Sequence, residues 1–226
     1  MMSEPHNNKV YESKTEYYDR FVNEFLLSFI PSGRLVLDVG CSTGRLGEKL
    51  IKEKQCQVYG IDISERAVEH AKKRLTDAAW LDIETEMFPF QNLRFDVIIM
   101  ADILEHLVHP ETALLKTKKY LKDDGFILIS LPNVANLRIR LRLLFGQWDY
   151  QESGILDDTH LRFYTRKTAQ QMFERAGFRI CNISATPGFD FLIGKMGWAR
   201  RITDQLCKLY PKLFANQFIF ILRSRL

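Results

Sequence analysis

No two cysteines stand close together in this chain. Cys41, Cys56, Cys181 and Cys207 are widely spaced and form no C-x-x-C, so neither a zinc knuckle nor a disulfide framework is indicated. Long apolar runs are missing as well. Nothing approaches the roughly 18 to 20 consecutive apolar residues of a membrane span. Residues 1–8 are polar and do not resemble a secretory leader, so a cytoplasmic protein is expected. Charge of one sign is not concentrated: 32 basic and 28 acidic residues give a formal charge of +4, scattered along the sequence. A dedicated nucleic-acid binder gathers basic residues on one face, so no stable nucleic-acid partner is expected. Internal repeats and low-complexity tracts are also lacking. What remains is a 226-residue chain, 46% apolar and 27% charged, long enough for one domain with a large core.

The stretch that organises the rest is 34–47, reading RLVLDVGCSTGRLG. Leu35, Val36 and Leu37 run into Asp38, Gly40 and Gly44 bracket Cys41-Ser42-Thr43, and 46–51 reads as helix. An apolar strand closed by a glycine turn and followed by a helix is the opening βα unit of a doubly wound sheet. The second glycine of G-x-G-x-x-G is absent, and that glycine makes room for a pyrophosphate. A nicotinamide dinucleotide is therefore disfavoured. A strand over 57–61 follows and ends on Asp62, about 20 residues beyond Gly40, where an acid accepts hydrogen bonds from both ribose hydroxyls of an adenosine and repels the phosphate of NADP. Ser64 is placed to cap a helix over 66–75. A short strand or exit loop follows at Trp80-Leu81-Asp82-Ile83.

Residues 94–100 form a near-continuous apolar strand, as a central parallel strand requires, with Asp96 a structural interruption near its start. It runs into Ala101-Asp102-Ile103-Leu104-Glu105-His106-Leu107, at the carboxyl edge where open α/β sheets bind ligands. A helix begins at Pro110, a turn is expected at Asp123-Asp124-Gly125, and a strand spans 126–131. In 134–145, Arg138, Arg140 and Arg142 alternate with leucine and isoleucine. This stripe reads as a solvated lid face, with a phosphate or membrane headgroup as its lesser expectation. A helix capped by Thr165 ends at Ala176-Gly177-Phe178, and strands over 178–185 and 217–223 complete the sheet.

The residues at 34–47 resemble motif I of the class I S-adenosylmethionine-dependent methyltransferases, with Ser42 where the middle glycine often stands. The run Asp157-Asp158-Thr159-His160-Leu161-Arg162-Phe163-Tyr164-Thr165, with Ala176-Gly177-Phe178 beyond it, resembles a bacterial small-molecule subfamily related to ubiquinone-pathway O-methyltransferases. The resemblance implies a Rossmann-like, doubly wound α/β fold. Its seven-stranded sheet is mostly parallel, with strand 7 antiparallel and helices on both faces. A single domain over 1–226 is expected, with a helical N-terminal cover to about residue 32 and lid insertions at 134–157 and 189–214. It implies S-adenosylmethionine as cofactor, held by Asp38, Gly40, Cys41, Ser42, Gly44, Asp62, Ile63, Asp82, Ile83 and Ala101, with Tyr17 or Tyr18 reaching over it. The acceptor is expected to be a small-molecule or carrier-linked metabolite, methylated on oxygen ahead of nitrogen, by a monomer or homodimer.

Methyl transfer needs donor and acceptor held in line and one proton removed. His106 and His160 are the candidates for that proton, with Glu105 beside them, because an imidazole titrates near working pH. Asp102, Glu105, His106 and the distant His160 also resemble the acid-x-x-E-H set, plus a later His, of small-RNA 2′-O-methyltransferases, in which a divalent cation grips the acceptor. An RNA-end methyltransferase and a non-catalytic S-adenosylmethionine-binding protein are the competing readings. Arg162 is a candidate to hold an anionic acceptor group or to form an internal salt bridge. The topology also makes a geometric prediction: His106 and His160 converge although more than fifty residues separate them.

Overall fold

Short runs of Val, Ile and Leu lie within the central strands. The computed structural model describes residues 11–12, 14, 23–187 and 197–225, with the backbone alone at 197–200. The strands are β1 (Leu35–Val39), β2 (Gln57–Asp62), β3 (Asp77–Trp80), β4 (Phe95–Ala101), β5 (Leu121–Pro132), β6 (Phe178–Pro187) and β7 (Ala215–Ser224). They form one seven-stranded sheet in the order β3-β2-β1-β4-β5-β7-β6, mostly parallel, with β6 and β7 antiparallel. The helices are α1 (Arg45–Lys54), α2 (Glu65–Ala71), α3 (Pro110–Lys118), α4 (Leu137–Leu144), α5 (Arg166–Arg175), α6 (Gly197–Leu209) and α7 (Pro211–Phe214). The chain forms two compact units, one of Met1–Ala101 with Thr112–Leu128, the other of Asp102–Glu111 with Ile129–Leu226. Among the described residues, no helix is long and apolar enough to cross a membrane.

In the first unit β1 pairs in parallel with β2 and β4, and Val36, Leu37, Ile98 and Ile99 are wholly buried. Ser64 caps α2 as expected, its hydroxyl accepting from the Ala67 amide at 3.1 Å. The helix stops at Ala71, short of the expected residue 75. The reason is Leu75, whose side chain packs on Gly44, Gly47 and Gly60. A Cβ added at those positions would lie 3.0, 2.4 and 2.7 Å from Leu75 carbons, so the three glycines form its bed. Asp96 is structural, as expected: it accepts from the Leu35 amide at 2.8 Å and from Lys122 Nζ at 2.8 Å. The turn expected at 123–125 lies inside β5 instead. Gly125 permits this, since a Cβ there would meet the Asp96 carbonyl oxygen at 3.0 Å and Leu121 at 2.9 Å. Of the helix expected before β1, the described part is a 3-10 helix, Glu24–Phe29. Tyr17 and Tyr18 lie outside the described residues.

In the second unit β6 and β7 form an antiparallel ladder, and Phe173 from α5 meets Phe220 edge to face at 5.0 Å between centroids. Thr165 caps α5 through a reciprocal pair with Thr168, and Arg175 at its far end binds Glu111 at 3.0 Å. The loop before α4 is pinned by two asparagines. Asn136 Nδ2 donates to the Ala215 carbonyl at 2.8 Å, and Asn133 Nδ2 to the same oxygen at 3.0 Å.

The glycine bed makes a stability prediction. Gly47→Ala places a methyl against Leu75 and Val58. Overpacking of this kind costs about 1–3 kcal/mol, against a helix-propensity gain of at most about 1 kcal/mol. Urea denaturation should show a net loss in the single variant. In a Leu75→Ala background the same substitution should cost less, the contact with Val58 at 2.9 Å remaining.

Candidate functional site

The first unit carries the glycine loop. Gly40 and Gly44 have φ of 74° and 82°, and Ser42 between them has φ of 46°. The middle position is therefore left-handed, which is why a stricter motif has glycine there and why serine carries a modest strain. Gly40 and Cys41 amides both donate to the Ile61 carbonyl, at 2.8 and 3.1 Å, binding the loop to the end of β2. Asp62 locks it from the other side, accepting from the Ser42 amide at 2.7 Å and the Ser64 amide at 2.9 Å. Burial raises the Asp62 carboxyl above its ordinary value, although these amides oppose the shift. Asp38, buried at the end of β1, is pushed up to about 7, first by burial and then by the charge of Asp62. Burial also raises the Cys41 thiol, which is packed beneath Gly60.

A second loop in the same unit holds Asp82 and Ile83. Asp82 Oδ1 accepts from the Glu84 amide at 2.8 Å, while Glu86 Oε1 takes the Asp82 amide at 2.9 Å. Lys116 from α3 donates to the carbonyls of Ile83 at 2.5 Å and Glu86 at 2.7 Å. Nothing in the sequence pattern pointed to Lys116, because its partners are carbonyls. Ile63 adjoins Asp62 and accepts from Trp80 Nε1 at 2.9 Å, and Ala101 ends β4. An adenosyl amino acid fits this set. A carboxyl that ionises near neutrality matches an ammonium, a strand-end acid matches vicinal hydroxyls, and the glycines at 40 and 44 leave room for close approach.

The second unit carries the histidines, and they do converge: the rings of His106 and His160 meet edge to face with centroids 4.7 Å apart. His106 belongs to a one-turn 3-10 helix, Leu104–His106, which leaves Glu105 wholly buried beside it. The Asp157-x-Thr159-His160 run closes the arrangement. Thr159 donates its amide and hydroxyl to Asp157 Oδ1 at 2.9 and 2.6 Å, and its carbonyl lies 3.2 Å from His106 Nδ1. A carbonyl only accepts, so Nδ1 carries the proton and Nε2 is the basic nitrogen of His106. His160 is arranged alike, with Nδ1 at 3.1 Å from the Ile155 carbonyl. Its Nε2 lies 4.0 Å from Glu105 Oε1.

Glu105 is the anomaly of this cluster. Both carboxylate oxygens are buried without a hydrogen-bond partner among the described residues. Burial, then the charges of Asp102 and Asp157, raises its carboxyl well above the ordinary value. One atom from each of Glu105, His106 and His160 falls within 4.8 Å of the others, a donor set that fits a divalent cation. Asp102 stands apart from that trio. It adopts φ of 53°, and Gln217 Nε2 donates to its Oδ1 at 2.5 Å. Burial raises Asp102 to about 6, with the Gln217 hydrogen bond opposing the rise. Gln217 comes from β7, 115 residues away, beyond the reach of any motif. Arg162 Nε donates to the Leu107 carbonyl at 3.2 Å and its guanidinium reaches that of Val108, while its charge helps hold the Glu111 carboxyl below the ordinary value.

With this geometry in hand, comparison with known proteins is informative. A family profile described as "Methyltransferase domain" matches residues 11–183. The ubiquinone biosynthesis O-methyltransferase of Neisseria meningitidis serogroup A is 32% identical over 158 residues, covering 66% of this chain and 66% of that protein. The chain thus spans a little under two thirds of that relative's length. An uncharacterised methyltransferase of Anoxybacillus flavithermus is 28% identical over 187 residues, 79% of this chain and 86% of the other. Among solved structures, an S-adenosylmethionine-dependent methyltransferase of Thermotoga maritima, a possible histamine N-methyltransferase, superposes with a TM-score of 0.67 at 16% identity, over 96% of this chain and 99% of that one. A chain of the complex between the Haloferax volcanii Trm112 activator and a methyltransferase gives 0.67 at 14% identity, covering all of both chains. This chain belongs to the methyltransferase-domain family, and its fold is that of class I S-adenosylmethionine-dependent methyltransferases.

The buried Glu105 carboxyl yields a pH prediction. Its folded pKa lies above its unfolded one, so the folded state holds the extra proton and stability falls as pH rises above the unfolded value of about 4.3. Glu105→Gln removes that titration. The metal-free variant should gain stability over the wild type progressively between pH 5 and pH 8, read by urea denaturation in chelator. A difference that does not vary with pH would contradict the assignment.

Proposed function

We propose that this methyltransferase transfers the methyl group to an oxygen of a small-molecule or carrier-linked metabolite, and that His106 and His160 handle the proton. The observation that carries the reading is the matched pair of imidazoles, each with Nδ1 directed at a backbone carbonyl. Bound S-adenosylmethionine supplies a methyl group on sulfonium, a carbon already activated for in-line displacement. Asp38 would hold its ammonium, Asp62 both ribose hydroxyls and Asp82 the adenine amine, with Ile63 and Ile83 against the ring. Gly40, Cys41, Ser42, Gly44 and Ala101 bring backbone close to the ligand. A hydroxyl is a poor nucleophile until its proton leaves. Nε2 of His106 or His160 would take that proton from the acceptor hydroxyl. An amine acceptor would need no such base in its neutral form, which favours oxygen.

A second reading has its own support in Glu105. A carboxylate without a partner, next to two imidazoles held through Nδ1, suits a divalent cation, the Nδ1 contacts orienting the ligands. Glu105, His106 and His160 would hold such an ion, which would act there as a Lewis acid on the acceptor oxygen.

Cofactor binding offers the first test. Calorimetry with S-adenosylhomocysteine should show affinity rising as pH passes through about 7, because Asp38 must ionise to meet the ammonium. Asp38→Asn should flatten that dependence, and Asp62→Ala should weaken binding at every pH. Tighter binding of NAD than of S-adenosylhomocysteine would overturn the cofactor reading. Turnover is the second test. His106→Ala or His160→Ala should lower it about 10²- to 10⁴-fold with cofactor affinity nearly unchanged. Under the cation reading, chelator reproduces both losses, and added Mg²⁺ or Mn²⁺ restores the wild type alone.

A further inference from the structure

Charge is not shared evenly between the two units. The second contains fifteen Lys and Arg against ten Asp and Glu, so it carries the whole positive excess of a chain whose net charge is +4. Within it, residues 134–148 contain no acid, although the next residue, Asp149, pairs with Arg142 at 2.6 Å; 191–226 contain only Asp204. These two segments carry exposed apolar side chains as well. Helix α4 buries Ile139 and turns Leu141, Leu143 and Leu144 outward. Leu144 and the following Phe145 are each 76% exposed, a large apolar tip at the end of an arginine-striped helix. Along α6 and its exit, Ile202, Leu209 and Tyr210 are exposed among Arg201, Lys208 and Lys212. The asparagine pins join the segments: Asn133 Nδ2 donates to the carbonyls of Lys212 and Ala215, and Asn136 Nδ2 to that of Ala215. The start of α4 and the end of α7 thus meet at one junction of this unit.

We propose that this face docks on the surface of an anionic lipid bilayer, with Leu143, Leu144 and Phe145 entering the headgroup boundary and the basic side chains meeting lipid phosphates. A short amphipathic element with Leu and Phe at its tip and Arg along its flank has the character of an interfacial anchor. Its charge complements an anionic leaflet, where each basic side chain is worth roughly fivefold in partition. A second copy of the chain fits less well, because a two-fold contact would set basic residues against basic residues. Nucleic acid would gain nothing from an exposed leucine pair. The sequence made a membrane headgroup the lesser expectation for the arginine stripe, since the stripe alone does not reveal the outward apolar tip.

The test uses the intact protein and needs no methyl acceptor. Co-sedimentation is measured with vesicles of phosphatidylcholine alone and of phosphatidylcholine mixed with phosphatidylglycerol, at low and high salt. The wild type should bind the mixed vesicles only, and more weakly at high salt. Leu144→Asp with Phe145→Asp should reduce binding about tenfold or more, and Arg140→Glu about fivefold or more, with thermal unfolding unchanged. Wild type that ignores anionic vesicles, or a double variant that binds them as the wild type does, overturns the proposal. So does light scattering that shows a wild-type dimer split by the double variant, since the face would then belong to a second copy.

Discussion

Enclosed carboxylates at strand ends are the constraint on which both units depend. Asp38 closes β1, Asp102 follows β4, and Glu105 lies one 3-10 turn further on. Burial disfavours the charged form of each, so Asp38 rises to about 7, Asp102 to about 6, and Glu105 lies well above its ordinary value. An apolar residue of similar volume would be cheaper at any of them. Their retention makes sense where a cationic ligand, or the proton of a hydroxyl, supplies what the fold withholds. Asp62 shows the contrast, with loop amides already on both its oxygens and working against the rise that burial imposes.

The histidine cluster depends on a local device of the same economy. Asp157 satisfies the amide and hydroxyl of Thr159, which frees the Thr159 carbonyl to orient His106, and the next residue is His160 itself. One tetrapeptide therefore anchors its own turn, sets the tautomer of a histidine fifty-three residues upstream and supplies the second ring. The Glu105 carbonyl accepts the amides of Leu161 and Arg162, tying the next residues back to the 3-10 turn. Such mutual fixing holds side chains at a working geometry.

The glycine loop is held by packing as much as by its own conformation. Leu75 sits on Gly44, Gly47 and Gly60, and Cys41 lies against Gly60, so a helix start, a strand and the loop approach more closely than side chains would permit. Gly40 and Gly44 were legible as loop glycines from motif spacing. Gly47 and Gly60 were not, since each sits inside a regular element where glycine has no pattern to obey. Lys116 was hidden for a related reason: it clamps backbone carbonyls, which every residue has.

The sequence by itself determined the order and type of the elements. Apolar runs of strand length, a glycine turn, and acids at strand ends are local properties that survive without knowledge of neighbours. It also determined that His106 and His160 would meet, because both leave the same edge in any fold of this topology. Tertiary structure alone decided the rest. Helix α2 stopped at Ala71 because Leu75 was needed elsewhere, and the turn expected at 123–125 became strand because Gly125 fits beneath Asp96. Gln217 found Asp102 across 115 residues, and Arg162 found the carbonyls of Leu107 and Val108. Each outcome turns on which unsatisfied group lies within about 3 Å of a donor, a distance set by packing and invisible to composition, period or spacing.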